Sequence, residues 1–545
     1  MINSLDVWSL GYTPIKIFEL GKSLSTYPNK EDAEILYRGF SEGFKLNYFG
    51  PRCRMETKNL KSVIQNPDIA WEKVMNEVQS GRIAGPFINR PISNLRCSPI
   101  GIVPKTVGYR LITHLSFPPN LSLNDFVDEK FTSVQYSLFD NAIDMIRMLG
   151  VNAEVGKKDI KSAFRLLRIY PGDFDLLGFK LENYYFIDKC LPMGYSESCC
   201  LFEKFSTFIQ WVVETESNSK NVDHYLDDFL FAGKSNTHDC QHLMDTFDKV
   251  CDRLGVPVAP EKTERPCNKL HYLGLLIDTE KMLIQIPDKK VLDLKSKIDY
   301  ALSRKKITLK ELQSLCGSLA FCSKALPAGR AFSRRIYLAT SQAKKPHHYV
   351  KISTGMRQDL SVWKLFLENF NGISYMLDTD WRWNCILNLY TDSAGGSELG
   401  CGAYFQGKWT YLQWPRSWAG SEILKDITYL EMVPIALSVY LWGNLFHKKK
   451  IVFNSDNQSV VQILNTKTSK SLRVMSLVRH IVYWSLLGNF HIKGKFVPGF
   501  TNILADSISR GNFQKFKSLP LSADIDPVAI PEEFWSLLDQ KCTNF

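Results

Sequence analysis

At 545 residues with a formal net charge of +11, 45% hydrophobic and 23% charged side chains, the chain is too long for one domain and too apolar for a disordered one, and three or four folded units are expected. No apolar run approaches bilayer length and the first dozen residues lack the basic start and apolar core of a signal peptide, so an intracellular protein of the cytoplasm or nucleus, with no membrane partner, is expected. Thirteen cysteines with no CxxC pair argue against a zinc finger or a disulfide framework, and Cys199, Cys200, Cys316 and Cys322 read as small buried hydrophobes.

Over residues 1–84 the periodicity predicts amphipathic helices at 32–44 and 68–79, with no recognisable chemistry. Residues 81–87 read as a turn-rich lead. Two short apolar strands in 98–105 and 108–115, joined by a turn, place Lys105 and Arg110 on one hairpin. Together they can hold a triphosphate, Arg as a bidentate fork and Lys as a point charge; the plainer reading is two exposed cations.

In VGKKDIKSAFR (155–165) Asp159 follows a strand-like run and precedes a helix start, where a lone Asp is usually an N-cap. A hairpin over 177–190, a turn at Leu191-Pro192-Met193-Gly194 and a helical run over 197–214 come next. HYLDDFLFAG (224–233) then reads as a strand, a tight turn at Asp227 and Asp228, and a returning strand. Adjacent carboxylates at a hairpin tip repel each other unless a cation lies between them, and hard oxygen ligands suit Mg²⁺. An Asp-Asp surface turn is the bland alternative. The order strand, helix, hairpin can bring Asp159 beside the pair, so that three carboxylates converge on two metal ions.

Residues 281–350 hold fifteen Lys/Arg against four Asp/Glu, a surplus equal to that of the whole chain. Within them, Thr308-Leu309-Lys310-Glu311 is a capping box, and Leu309, Leu312, Leu315 and Leu319 recur at helical spacing. One face packs and the other offers positive charge to a phosphate backbone.

Residues 351–382 read as helix and connector. Beyond them, Asp392 ends a strand, 400–414 alternates like two more strands, Glu431 lies in the first turns of an apolar helix, Asp456 ends another strand and Asp506 sits on a helix. Singly, each acid is a strand-end turn or a cap. Crowded together, four acids cannot all stay ionised without divalent cations.

The ordered set KKDIKSAF (157–164), LPMGYSESCCLFEK (191–204), YLDD (225–228), PEK (260–262) and HYLGLLID (271–278) resembles the palm of a reverse transcriptase. SPIGIVPK, YRLITHLS, DIKSAFRLLRIYP, KITLKELQSLCGSLAF and SADIDPVAIP narrow the resemblance to DIRS-type, tyrosine-recombinase retrotransposons over nearly all of 30–535. The resemblance implies an α+β multidomain right-hand polymerase followed by an α/β RNase H-like domain with a mixed five-stranded sheet. The implied divisions are an N-terminal helical extension (1–84), fingers (85–150), palm (151–283), basic thumb (284–350), connector (351–384), RNase H (385–512) and tail (513–545).

It further implies that Asp159, Asp227 and Asp228 ligate two Mg²⁺, with Mn²⁺ as an alternative, that Lys105 and Arg110 hold the incoming phosphates, and that Met193 and Gly194 border the nucleotide. Phe164 would be the steric gate against a ribose 2′-hydroxyl, Lys262 a proton donor to pyrophosphate, and His271, Tyr272, Leu273 and Gly274 the primer grip. Asp, Glu, Asp, Asp over strand, helix, strand, helix is similar to ribonuclease H, so Asp392, Glu431, Asp456 and Asp506 would hold a second Mg²⁺ pair. The implied partners are an RNA template, a DNA primer, RNA/DNA hybrid, dNTPs and other proteins of the element.

Three positions depart from the pattern: Met193 where retroviral enzymes carry Gln, Ser162 where many relatives carry a second Asp, and Phe496 where many ribonucleases H carry a mobile His. The last suggests a weak nuclease beside an active polymerase. The alternative from another class is an inactive relic that only binds nucleic acid. No protease DTG and no integrase HHCC occur, so the strand-joining enzyme of the parent element is expected on another chain or on a segment cut away.

Overall fold

The computed structural model describes residues 7–105, 108–369, 373–376, 381–382, 387–519 and 523–539. Parts of the expected connector (370–372, 377–380, 383–384) and tail (520–522, 540–545) lie outside them. The chain divides into two compact units, Met1–Leu270 and His271–Phe545, where composition suggested three or four. One cause is that the N-terminal helices are not a separate extension. Ile17–Ser25 and Lys30–Glu42 bury Leu20, Leu36 and Phe40 in the same core as Phe205 and Phe208, with Phe40 and Phe205 rings 4.9 Å apart.

The centre of the first unit is a four-stranded sheet ordered Glu264–Cys267, Glu154–Asp159, Asp228–Gly233, Val222–Tyr225, antiparallel throughout. Phe229 and Phe231, two apart and hence on one face, pack on Phe247 of the helix Asp239–Leu254. The helix Phe139–Leu149 also packs on this central strand. Covered in this way, Asp228–Gly233 is buried at every position after its first.

A second sheet of five strands contains the expected hairpin, Gly178–Leu181 with Tyr184–Asp188. Its edge is Ile83–Phe87, a strand where a turn-rich lead was expected. The register shifts between Ala84 and Phe87, and a bulge on an edge strand is where a sheet tolerates Gly and Pro.

In the second unit, Leu275–Asp278, Leu283–Gln285 and Ile373–Tyr375 pair antiparallel. The basic segment forms the helices Asp288–Ser303 and Leu309–Cys322. The capping box is present, with Thr308 Oγ1 accepting from Glu311 N–H and Glu311 Oε2 accepting from Thr308 N–H. Leu309, Leu312, Leu315 and Leu319 are all buried, while Lys289, Lys290, Arg304, Lys305, Lys306 and Lys310 are exposed.

Where a mixed five-stranded sheet was expected beyond residue 385, the strands of the described residues pair as two sheets of three. Leu389–Ser393, Gly400–Phe405 and Lys408–Gln413 are antiparallel, and Trp381–Arg382, Lys450–Ser455 and His491–Phe496 are parallel. Leu389–Ser393 and Lys450–Ser455 lie side by side, but no ladder joins them among the described residues. Asp392 and Asp456 lie at the C-terminal ends of these two strands, and the Asp456 charge helps to raise the Asp392 carboxyl. The helix Ile427–Trp442 is apolar on nearly every face because it is enclosed between the antiparallel sheet and the helix Leu472–Leu487.

Among the described residues no helix is long and apolar enough to cross a membrane. Of the cysteines read as buried, Cys322 is; Cys199, Cys200 and Cys316 are only half-buried.

The connector helix Thr354–Asn369 is tied to Leu472–Leu487 by a buried ion pair, Arg479 Nη2 to Asp359 Oδ1 at 3.0 Å. Burial pushes the Asp359 carboxyl up to about 6, against the pull of Arg335 and Arg479. Replacing Asp359 by Ala takes this carboxylate from the buried Arg479 guanidinium; denaturant unfolding should show the second unit destabilised by about 3 kcal/mol.

Candidate active site

The Asp-Asp hairpin forms by the most economical route. Tyr225 and Asp228 are directly paired across the strands, which leaves a two-residue loop of Leu226 and Asp227. Such loops call for positive φ at their first residue, usually supplied by glycine. Here Leu226 takes it, at φ +55°, a conformation that costs an L-residue on the order of 1–2 kcal/mol.

Asp159 is not a helix cap. It is the last residue of Glu154–Asp159 and the direct cross-strand partner of Asp228. The pairing runs on into the turn, where Ile160 N–H donates to Asp227 O at 2.9 Å. Three acids distant in sequence thus meet at one end of the sheet. Burial, and then the Asp159 charge, push Asp227 up to about 6, and burial raises Asp228.

One counter-charge is supplied by Lys262, in the turn Pro260–Lys262. Its ammonium donates to both Asp159 oxygens, at 2.8 and 2.7 Å. Partial burial works against that charge, but the hydrogen bond to Asp159 and the nearby acids hold it above the ordinary lysine value.

Asp159 and Asp227 open onto a cavity of about 390 Å³ that Lys105, Arg110 and Met193 also line. Lys105 and Arg110 flank the turn of the hairpin Ile100–Pro104 with Tyr109–Thr113, as the sequence predicted. Gly194 is at φ +119°, and a Cβ there would stand 2.2 Å from Thr113 O, so this corner admits glycine alone. Met193 and Gly194 also line an adjoining cavity with Arg110.

Phe164, expected as the steric gate, is half-buried. Its ring meets Phe202 edge-on at 5.4 Å and packs on the core, and the cavity wall is made by Ser162, Ala163 and Arg165 instead. Ser162 takes φ +62° ahead of the 3₁₀ turn Ala163–Leu166. A left-handed residue followed by a right-handed turn aims successive N–H groups into one concavity, a geometry suited to anions.

The helix expected at 68–79 is present as Pro67–Gln79, but the sequence reading gave it no chemistry, and its Lys73 and Glu77 line the same cavity. Glu77 Oε2 accepts from Arg165 Nε at 3.0 Å, while Arg165 Nη1 donates to both Asp188 oxygens at 2.8 Å. This buried network joins elements that no local pattern connects. Lys161, also on the wall, is exposed.

His271 and Tyr272 end the strand Lys269–Tyr272 of the second unit's sheet. Leu273 and Gly274 turn at φ +48° and +82°, and Gly274 lies against Phe321 of the basic helix.

Also in the second unit, Asp392 and Glu431 are buried and Asp456 is exposed. Ser509 Oγ donates to Asp392 Oδ2 at 2.7 Å, Ser393 Oγ to Glu431 Oε1 at 2.8 Å, and Arg510 Nε to Asp506 Oδ1 at 2.7 Å. Asp392 is pushed up to about 7 by burial, with the charges of Asp506 and Asp456 adding. Glu431 is pushed up to about 8 by burial, with Asp392 and Asp456 adding. Those mutual effects place the four acids in one neighbourhood. Phe496 ends its strand half-exposed and carries no titratable group. Among the described residues, no three acidic, His or Cys side chains are drawn together tightly enough to hold one ion as they stand.

Residues 120–277 match the family model described as reverse transcriptase (RNA-dependent DNA polymerase). They form a reverse transcriptase domain. Its relatives include the Gag-Pro-Pol polyprotein of Human T-cell leukemia virus 3 (strain 2026ND), 27% identical over 167 residues, 30% of this chain and 11% of that one. The Transposon Tf2-3 polyprotein of Schizosaccharomyces pombe is 26% identical over 172 residues, 31% and 12% of the two chains. The chain thus spans about a tenth of the length of these relatives. Among solved structures, a foamy viral protease-reverse transcriptase with double-stranded DNA superposes at TM-score 0.46, 16% identical, covering 89% of this chain and 82% of that one. The same type of protein with an RNA/DNA hybrid gives 0.45 at 16%, covering 96% and 67%. The reverse transcriptase domain contains Asp159, Asp227, Asp228 and Lys262; the acids from Asp392 onward lie outside the matched residues.

The titration of Glu431 gives a test. The folded chain keeps this proton to about pH 8, whereas an unfolded chain loses it near the ordinary carboxyl value. The unfolded state therefore binds fewer protons between those limits, and stability falls as pH rises through them. Glu431→Gln removes the burden: in EDTA at pH 8.5 its melting temperature should exceed that of the native chain by several degrees, on the order of 2 kcal/mol, and the difference should vanish at pH 4.

Proposed function

We propose that the chain is an RNA-directed DNA polymerase of a DIRS-type retrotransposon, coupled to RNase H cleavage of the RNA strand of RNA/DNA hybrids. The observation that carries the first activity is the pairing of Asp159 with Asp228 across one ladder, with Asp227 in the adjoining turn, at the mouth of a cavity also lined by Lys105 and Arg110.

The donor set fits Mg²⁺: hard carboxylate oxygens, two of them on acids whose burial favours the protonated form until a cation arrives. Asp159, Asp227 and Asp228 would hold the ions, with Mn²⁺ as an alternative. Bound there, they supply charge neutralisation at the triphosphate and acidify the primer 3′-hydroxyl. Arg110 grips a phosphate as a fork and Lys105 as a point charge. Backbone N–H groups after Ser162 cradle phosphate oxygens, and Lys262, held protonated, stands ready to give its proton to departing pyrophosphate. His271 to Gly274 are assigned to the primer, and the exposed lysines and arginine of the basic segment to the duplex backbone.

For the second activity, Asp392, Glu431, Asp456 and Asp506 would take a metal pair of the same kind, and their mutual repulsion supports that reading. An RNA template, a DNA primer, dNTPs, the hybrid product and other proteins of the element are the partners, in the cytoplasm or nucleus.

Primer extension on an RNA template with Mg²⁺ should fall at least about a hundredfold in Asp227→Asn. Synthesis that ignores the substitution refutes the site, and none by the native chain favours a relic that only binds nucleic acid. Cleavage of a labelled RNA/DNA hybrid should fall comparably in Asp392→Asn; survival of cleavage removes the second assignment.

A further inference from the structure

The helix Ser198–Ser217 carries an acid that no part of the preceding account uses. Glu203 is buried at 7% exposure, inside the apolar run LFEKF, where an unpaired carboxylate is costly to place. It sits in a stripe at helical spacing, Cys199, Glu203, Ser206 and Gln210, and this helix packs along the strand Val222–Tyr225 that enters the catalytic turn.

The contacts of that stripe are specific. Glu203 Oε2 accepts the backbone N–H of Leu226 at 3.3 Å. Its other oxygen lies 3.2 Å from His224 Nε2, off the line of a hydrogen bond. His224 Nδ1 contacts Gln210 Oε1, and Gln210 Nε2 donates to Val222 O at 3.1 Å, which fixes that amide. The ring of His224 stacks on Phe229. One helix face thus holds the strand before the turn and, through Glu203 alone, the turn itself.

Leu226 is the residue that needs holding. Its left-handed backbone turns its N–H back toward the helix, and a leucine left to itself relaxes to negative φ. Relaxation would swing the following residue, Asp227, away from Asp159.

We propose that Glu203 is a positioning residue of the polymerase site: by accepting the Leu226 N–H it keeps the two-residue turn in its left-handed form and so aims Asp227 at the ground shared with Asp159 and Asp228. The proposal rests on the polymerase reading for its consequence, but the contact itself is testable without activity. Gln at 203 keeps an acceptor oxygen, and Ala removes it. Glycine at 226 adopts positive φ unaided.

Hydrogen exchange on the whole chain should show the Leu226 amide protected in the native protein and in Glu203→Gln. In Glu203→Ala it should exchange at least tenfold faster while the helix Ser198–Ser217 stays protected. In primer extension, Glu203→Ala should lose about tenfold or more in kcat with little change in KM for dNTP, and its half-saturating Mg²⁺ concentration should rise. Glu203→Gln should retain most activity, and Leu226→Gly added to Glu203→Ala should recover part of the loss. Unchanged exchange at Leu226 in Glu203→Ala overturns the proposal, as does equal loss in Glu203→Ala and Glu203→Gln, or an active Glu203→Ala with native Mg²⁺ dependence. A native chain that extends no primer refutes the polymerase reading instead, and the exchange arm still decides the role of Glu203.

Discussion

Carboxylates gathered where water is scarce must find positive charge or keep their protons, and much of this molecule answers to that constraint. The first unit spends a four-stranded sheet on bringing Asp159 opposite Asp228. The second brings four acids from two strands and two helices into one neighbourhood. In both, the raised carboxyls are the visible cost of doing so, and a cation is what relieves it.

Such a site needs a stiff frame, because an acid free to swing away from its neighbours will do so. The central strand of the first unit is covered by helices and buried along its length, so the ladder beneath the acids cannot slip without exposing Phe229 and Phe231. Within the catalytic hairpin the strain falls on Leu226, at the point where chain direction must reverse within two residues. In the second unit, an apolar helix enclosed on its faces carries Glu431, so that the acid is fixed by its surroundings and not by its own solvation.

What the sequence disclosed follows from how local each signal is. The hairpin around Asp227, the capping box at Thr308 and the hairpin bearing Lys105 and Arg110 all rest on residues a few positions apart, and all three are present. The contribution of the helix Pro67–Gln79 was invisible because Glu77 meets Arg165 across 88 positions. Asp159 was legible as an acid of interest but not as a strand end, since only its pairing with Asp228 distinguishes the two roles. Phe164 was legible only as a position in a pattern; that its ring packs edge-on against Phe202, 38 positions away, is a contact no local signal shows. The grouping of these strands into two sheets was likewise unreadable, because which strands pair depends on partners far apart in the sequence and not on either strand's composition.

The two acid groups also solve the charge problem to different degrees. Each has one basic side chain resting on one acid, Lys262 on Asp159 and Arg510 on Asp506, and both cations are more than half exposed. An exposed side chain is screened and loses little by moving, so each can neutralise its acid and still yield to a stronger cation. The remaining acids differ. Asp227 rises only to about 6, so most of it is ionised at neutral pH, whereas Asp392 rises to about 7 and Glu431 to about 8. A cation taken up by either group would have to displace protons, and the higher carboxyls are in the second. The second group therefore holds more of its protons at neutral pH than the first, although the two are built from the same kind of acid.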